Sequence, residues 1–270
     1  VSQAIKVGIF GANGRMGRAL IEAAHNNEDA DIAHALVRES SSFKGIDAGQ
    51  VAGIGNIDSA LTTIKAIDEL ADVYIDFTLP EACMNNLAWC VENKKPVVIG
   101  TTGLSKEQLA KIDEAACQIP VVFAANMSVG VNLLVNLLKT TAKVMGQHSD
   151  IEIWEAHHRF KKDAPSGTAL MLGKAIADEL DRDLDKVSVY GREGDTGERD
   201  RETIGFATIR AGDIVGEHTA LFADIGERIE ITHKASSRLT FAKGAVRAAI
   251  WLKDKSTRLY DMQDVLGLKD

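Results

Sequence analysis

Residues 5–17 read IKVGIFGANGRMG. Ile5–Phe10 is a short apolar run that stops at a glycine, which reads as a buried strand. Arg15 to about Asn26 follows with Met16, Leu20, Ile21 and Ala24 on one face, the spacing of an amphipathic helix. Gly11, Gly14 and Gly17 fall between the two. This is a spacing variant of the strand–turn–helix loop that cradles a dinucleotide pyrophosphate. Gly11 permits the tight turn, Gly14 lets backbone approach the phosphates, and Gly17 lets helix and sheet pack closely. The helix start adds N–H groups and partial positive charge. A glycine-rich turn with no ligand is the plain alternative, but the position after the first strand favours the nucleotide.

The same alternation continues along the chain. Asp31–Val37, Val73–Phe77, Val97–Ile99 and Val121–Ala124 read as strands, and Glu81–Glu92 and Ser105–Ala116 as helices between them. Strands alternating with helices predict a doubly wound, Rossmann-type parallel sheet. Ligands in such sheets lie beyond the carboxyl ends of the strands. Gly11, Ala12, Asn13, Gly14, Arg15, Met16 and Gly17 are therefore expected to hold the cofactor, together with Gly100, Thr101 and Thr102 of GTTG and Ala124, Ala125, Asn126 and Met127. Asp76 is as well explained by ending its strand. Where an acid would grip the ribose of NAD, the second strand ends in Val37–Arg38. Valine accepts no hydrogen bond, whereas Arg38, helped by Arg15, can pair with a 2′-phosphate. NADPH is expected over NADH.

After Met127 the texture changes. Gly130–Met145 is a long amphipathic helix, Ile151–Glu155 a strand and Thr168–Leu180 a helix. IGFATIR, IVGEHTALFA and ERIEITHKA then read as three strands of an antiparallel meander, joined by AGD and DIGE. Tyr190–Glu202 is polar and glycine-rich, the composition of a mobile loop. A final helix covers Phe241–Leu252. The chain thus divides into a dinucleotide-binding domain, 1–127, joined by the C-terminal helical segment 241–270, and an α+β domain with a mixed or antiparallel sheet, 128–240, for substrate and oligomerisation.

In the second domain, residues 155–169 read EAHHRFKKDAPSGTA. Ser166, Gly167 and Thr168 offer two hydroxyls and backbone N–H groups at a helix start, a seat for a carboxylate. Ser166 or Asp163 acting only as a cap is the plain reading. Lys161 adds a point charge or a proton, and His157 or His158 can exchange a proton near neutral pH. Adjacent histidines with no cysteine or carboxylate cluster do not make a metal site, so no metal is expected. Lys162 and Arg159 read as solvated charge, and His218 and His233 as structural. A hydride donor and an anionic acceptor are expected to meet in an interdomain cleft that closes over them.

GANGRMG, DFT (Asp76–Thr78), GTTG, AANMSVGVN, the EAHHRFKKDAPSGTA block and the tail GFATIRAGDIVGEHTALFADIGERIEITHKASSR together resemble the 4-hydroxy-tetrahydrodipicolinate reductase (dihydrodipicolinate reductase) family, from about Ile5 to the last helix. The resemblance implies reduction of a small cyclic dicarboxylate with NADH or NADPH, in the diaminopimelate route to lysine. Water leaves the hydroxylated ring, hydride adds at position four and a proton at the neighbouring carbon. It implies His157 as acid/base and Lys161 as proton donor. His158, Lys161, Ser166, Gly167 and Thr168 hold the carboxylates, with Thr102 nearby, and the chain forms a homotetramer through its second sheet. Two positions depart from the family pattern: Val37 stands where many members have an acid, and Leu79 where some have arginine. The rivals are another aspartate-family NAD(P)-dependent dehydrogenase, which needs no pair of carboxylate anchors, and a non-enzymatic NADPH-sensing regulator, which needs neither His157 nor Lys161.

Bulk composition is consistent with this. The 270 residues carry a net charge of −8, which argues against nucleic acid as a partner. No run approaches the roughly 18 apolar residues of a membrane span, and the N-terminal run is too short for a signal peptide. Cys83, Cys90 and Cys117 are expected as buried free thiols of a cytoplasmic protein.

Overall fold

The computed structural model describes residues 4–269. In chain order the elements are β1 (Ile5–Phe10), α1 (Arg15–His25), β2 (Ala30–Leu36), α2 (Ala48–Ala52), β3 (Leu61–Thr62), β4 (Val73–Asp76), α3 (Pro80–Glu92), β5 (Val97–Ile99), α4 (Lys106–Ala116), β6 (Val121–Phe123), α5 (Val129–Met145), β7 (Asp150–His157), α6 (Gly167–Glu179), α7 (Leu184–Val187), β8 (Ser188–Tyr190), β9 (Ile204–Arg210), β10 (Gly216–Asp224), β11 (Glu227–Ala235), α8 (Leu239–Leu252), β12 (Leu259–Tyr260) and α9 (Met262–Leu266). They form two compact units, Val1–Val129 with Arg238–Asp270, and Gly130–Ser237.

The first unit is built on a seven-stranded sheet in the order β12-β6-β5-β4-β1-β2-β3. Every pair in it is parallel. Its central strands are apolar on both faces, as a sheet covered on both sides requires: Val7, Ile9, Val73, Ile75 and Val98 pack with α1 and α8, while Phe10, Tyr74, Val97, Ile99 and Val121 pack with α3 and α4. Gly17 is required on contact grounds, since a Cβ there would collide with the carbonyl of Gly11 and the backbone of Ala12. Gly11 itself has φ +66°, a turn conformation that suits glycine. The short elements α2, β3, β12 and α9 have no clear periodicity and are not legible from sequence. Asp47 organises the first two, accepting from the N–H groups of Gly49, Gln50, Ile57 and Ser59.

The second unit holds a five-stranded sheet in the order β11-β10-β7-β9-β8. This corrects the expected meander. Only β10 and β11 form a hairpin. β7 lies between β10 and β9, antiparallel to the first and parallel to the second. The reason is burial. β7 carries Ile151 and Ile153, which are fully covered only at the centre of the sheet, flanked by Ile204 and Phe206 on one side and Ala220 and Phe222 on the other.

The segment between β8 and β9 also differs from expectation. It lacks regular structure, but it is tied down: Arg192 makes two bonds to Glu152, and Arg199 reaches Glu152, Asp150 and the carbonyls of Ile151 and Thr203. Cys83 and Cys90 are buried, whereas Cys117, the residue just after α4, is exposed.

Gly244 of α8 packs against the backbone of Met127, and an added Cβ would collide with the Met127 carbonyl oxygen. Gly244→Ala is therefore expected to lower stability by about 1–3 kcal/mol, read as a reduced urea midpoint.

Candidate active site

One face of the second sheet changes character along its strands. Ile151 and Ile153 of β7, with their register partners Ile204, Phe206, Ala220 and Phe222, form the apolar end. Two residues further on, the same face carries Glu155 opposite Thr208 and His218, then His157 opposite Arg210. Alternation in the strand puts residues 151, 153, 155 and 157 on one side, so the polar cluster grows directly out of the core.

Glu155 is the centre of this cluster and is only 1% exposed. Arg210 donates to both of its oxygens at 2.8 Å. Glu155 also accepts from His157 Nδ1 at 2.6 Å, the Ser166 N–H at 3.0 Å and the Thr208 hydroxyl at 3.3 Å. Burial pushes its carboxyl up, but Arg210 and His157 outweigh burial and hold it below the usual carboxylate range. An ionised carboxylate only accepts, so His157 carries its proton on Nδ1 and presents Nε2 as a bare acceptor. Gly216 faces that nitrogen; a Cβ there would stand 3.1 Å from it. Burial lowers the His157 pKa more strongly than Glu155 raises it.

Ser166 caps α6, accepting from the Ala169 N–H at 3.1 Å. Asp163 does not cap; it pairs with Lys161, whose Nζ lies 2.9 Å from both of its oxygens. Gly167 has open space at its α-carbon. The His158 Nδ1 is buried without a partner among the described residues. Two expectations change here. β7 runs two residues past its expected end at Glu155, so His157 is its last residue. His218, expected as structural only, touches the cluster directly, with Nε2 2.9 Å from Ser166 Oγ and its ring edge-to-face with His157 at 5.1 Å. Glu155, Arg210 and Gly216 were missed altogether. The signal available for Glu155 was a charged residue at an inward position of an otherwise apolar strand.

In the first unit, a cavity of about 520 Å³ opens at the carboxyl ends of β1 and β2. Gly11, Asn13, Gly14, Arg15, Met16, Gly17, Val37 and Arg38 line it. Gly14 is the N-cap of α1 and offers no side chain to the helix, so the first N–H groups lack a side-chain cap. Val37 is buried and Arg38 is exposed with no side-chain partner among the described residues. Phe77, Thr78 and Asn86 also line the cavity. Asp76 does more than end its strand: its buried carboxylate accepts from the Thr78 N–H and hydroxyl, both at 2.7 Å, from Asn86 at 2.7 Å and from Thr101 at 3.4 Å. Ala12, Gly100, Thr101, Thr102 and Ala124–Met127 do not line this cavity; Gly100–Thr102 follow β5, which pairs with β4, and Ala124–Met127 follow β6, the next strand out.

The descriptions "Dihydrodipicolinate reductase, N-terminus" and "Dihydrodipicolinate reductase, C-terminus" match residues 5–127 and 130–266. The chain belongs to the dihydrodipicolinate reductase family. It is 66% identical to a 4-hydroxy-tetrahydrodipicolinate reductase of Pseudoalteromonas atlantica, over 97% of this chain and 99% of that one. It is 63% identical to the enzyme of the same name from Colwellia psychrerythraea, over 98% and 99%. Among solved structures, the dipicolinate-bound dihydrodipicolinate reductase of Paenisporosarcina sp. TG-14 shares the fold with a TM-score of 0.75 at 23% identity, covering 97% of this chain and 99% of that one. An amine dehydrogenase from Mycobacterium smegmatis shares it more loosely, at 0.61 and 11% identity, over 95% and 94%. Family membership supports the reductase reading over both rivals.

Glu155 generates a prediction. Its depressed pKa means it contributes stability above the ordinary carboxylate value, lost as pH falls through the folded value. Arg210→Ala removes the main downward pull and leaves burial pushing up. The variant is expected to lose about 3 kcal/mol at neutral pH. Its acid unfolding limb should also begin at a higher pH than that of the parent. Denaturant melts between pH 3 and pH 8 check both.

Proposed function

We propose that this chain reduces 4-hydroxy-tetrahydrodipicolinate to tetrahydrodipicolinate with loss of water, in the diaminopimelate route to lysine, and that NADPH is its preferred reductant. The observation that carries the reading is the Glu155–His157–Ser166 cluster at the start of α6, built from the residues of the family-specific block. The first unit fits a nicotinamide dinucleotide: the cavity is lined by the glycine loop, α1 has no side-chain cap, and Arg15 and Arg38 flank the opening. Reduced nicotinamide bound by this unit supplies the hydride.

The chain's own residues do the rest. Ser166, Gly167, Thr168, His158 and Lys161 hold the carboxylates of the ring, fixing its orientation. His157 exchanges a proton at Nε2, with Glu155 stabilising the imidazolium form and holding the ring in one tautomer. Lys161 delivers the proton to the ring carbon beside the hydride acceptor, leaving its pairing with Asp163 as it does so. Arg38 pairs with the 2′-phosphate of NADPH, since Val37 offers no acceptor for a ribose hydroxyl. Gly100–Thr102 and Ala124–Met127 complete the cofactor site, with Thr102 also near the substrate. A cytoplasmic homotetramer joined through the second sheet belongs to the same proposal.

Steady-state assays with both nicotinamide cofactors test it. Lys161→Ala should lower kcat by about 10²–10⁴-fold while NADPH affinity stays unchanged. Arg38→Ala should raise the KM for NADPH about tenfold and leave that for NADH unchanged. Full turnover of Lys161→Ala would remove that residue from the chemistry.

A further inference from the structure

We propose that His218 is a positioning residue that fixes the Ser166 hydroxyl as a hydrogen-bond donor aimed at a carboxylate of the bound ring. This rests on the assignment of Ser166 to the substrate made above.

His218 lies on β10 opposite Glu155 and is 4% exposed. Its Nε2 is 2.9 Å from Ser166 Oγ, and its Nδ1 is buried with no partner among the described residues. A neutral imidazole carries one N–H, on one nitrogen or the other. With the proton on Nδ1, a buried N–H would lack any acceptor, a defect that folded proteins rarely carry. The Ser166 proton would then point at Nε2 and be lost to a ligand. With the proton on Nε2, that N–H donates to Ser166 Oγ and Nδ1 keeps only a lone pair. The second arrangement leaves no buried N–H unpaired, and it decides the serine.

Ser166 Oγ then accepts twice, from His218 Nε2 and from the Ala169 N–H. Both lone pairs are used, so the hydroxyl can only donate. No other residue described accepts its proton. Ser166 is itself buried, so solvent does not reset the direction. A carboxylate takes donors and nothing else, so a serine held in this state is complementary to it before it arrives. Burial first, then the neighbouring His157, push the His218 pKa down to about 4, which favours the neutral ring. Glu155 pulls the other way, and His233 and Lys161 add to the lowering.

The test is a double-mutant cycle on the NADPH-loaded protein, titrated calorimetrically with dipicolinate, a planar dicarboxylate. His218→Leu is expected to weaken dipicolinate about tenfold, with the rise seen in substrate KM more than in kcat. His218→Gln, whose amide N–H reaches the same oxygen, should recover most of that loss. In a Ser166→Ala background His218→Leu should add less than about twofold. An equal effect of His218→Leu in both backgrounds, with Ser166→Ala itself weakened, would overturn the positioning role and leave the carboxylate seat standing. Unchanged affinity in Ser166→Ala would overturn the seat and this role with it. Nitrogen-15 NMR of the unsubstituted protein reads the tautomer without any variant. Protonated Nε2 is expected, and protonated Nδ1 would refute the proposal.

Discussion

A carboxylate has been placed inside a sheet, and most of the second unit is arranged around that fact. An isolated charge at the depth of Glu155 would cost far more than a domain's net stability. It is tolerated because five donor groups converge on it from four residues: His157 on its own strand, Arg210 and Thr208 on β9, and the backbone of Ser166. Such an arrangement holds several things at once. It pins the β7–β9 register, since a one-residue slip would turn Glu155 to the other face. It sets the tautomer of His157, and it anchors the start of α6 to the sheet through a backbone N–H. On the proposed function, the geometry of His157 and Ser166 is thereby set by a group that does no chemistry itself.

The first unit solves its problem differently. Its cavity is shaped by backbone: a left-handed glycine, a helix start without a side-chain cap, and close strand–helix packing at Gly17. Asp76, a buried acid beside this cavity, is satisfied by two threonines and an asparagine rather than by a cation. Burial accordingly pushes its carboxyl up where the ion-paired Glu155 is held down. Thr78 and Asn86, which line the cavity, are thus held from beneath by a group that does not itself line it.

The difference explains what could be read from sequence. The parallel sheet was legible because burial on both faces writes continuous apolar runs, and the glycine loop because backbone geometry demands particular residues at particular spacings. His157, Lys161 and Ser166 were visible as a local cluster. Glu155, Arg210, Gly216 and His218 were not assigned to the site, because what joins them is strand pairing between segments more than fifty residues apart. The meander failed for the same reason. Three strand-like runs with short turns look consecutive, and nothing local says that an earlier strand will insert between the first and second. Small elements such as β3 and β12 are two residues long and have no period to detect.

The electrostatics of the seat also look different once pairing is known. The stretch from His157 to Lys162 seems strongly positive in one dimension. In three, Arg159 and Lys162 are exposed, and at the cluster itself Arg210 is committed to Glu155 and Lys161 to Asp163, while burial lowers the pKa of His157. Net charge at the cluster is therefore modest, and simple attraction is a weak explanation for recognising a dicarboxylate. Oriented donors are a stronger one. In the proposed seat, a serine hydroxyl with both lone pairs filled, backbone N–H groups at a helix start and a lysine held by an exposed partner act at fixed directions. Each needs little reorganisation when the ring arrives. A seat of this kind favours the placement of two carboxylates over the mere presence of negative charge, which is the discrimination a reductase of one particular ring requires.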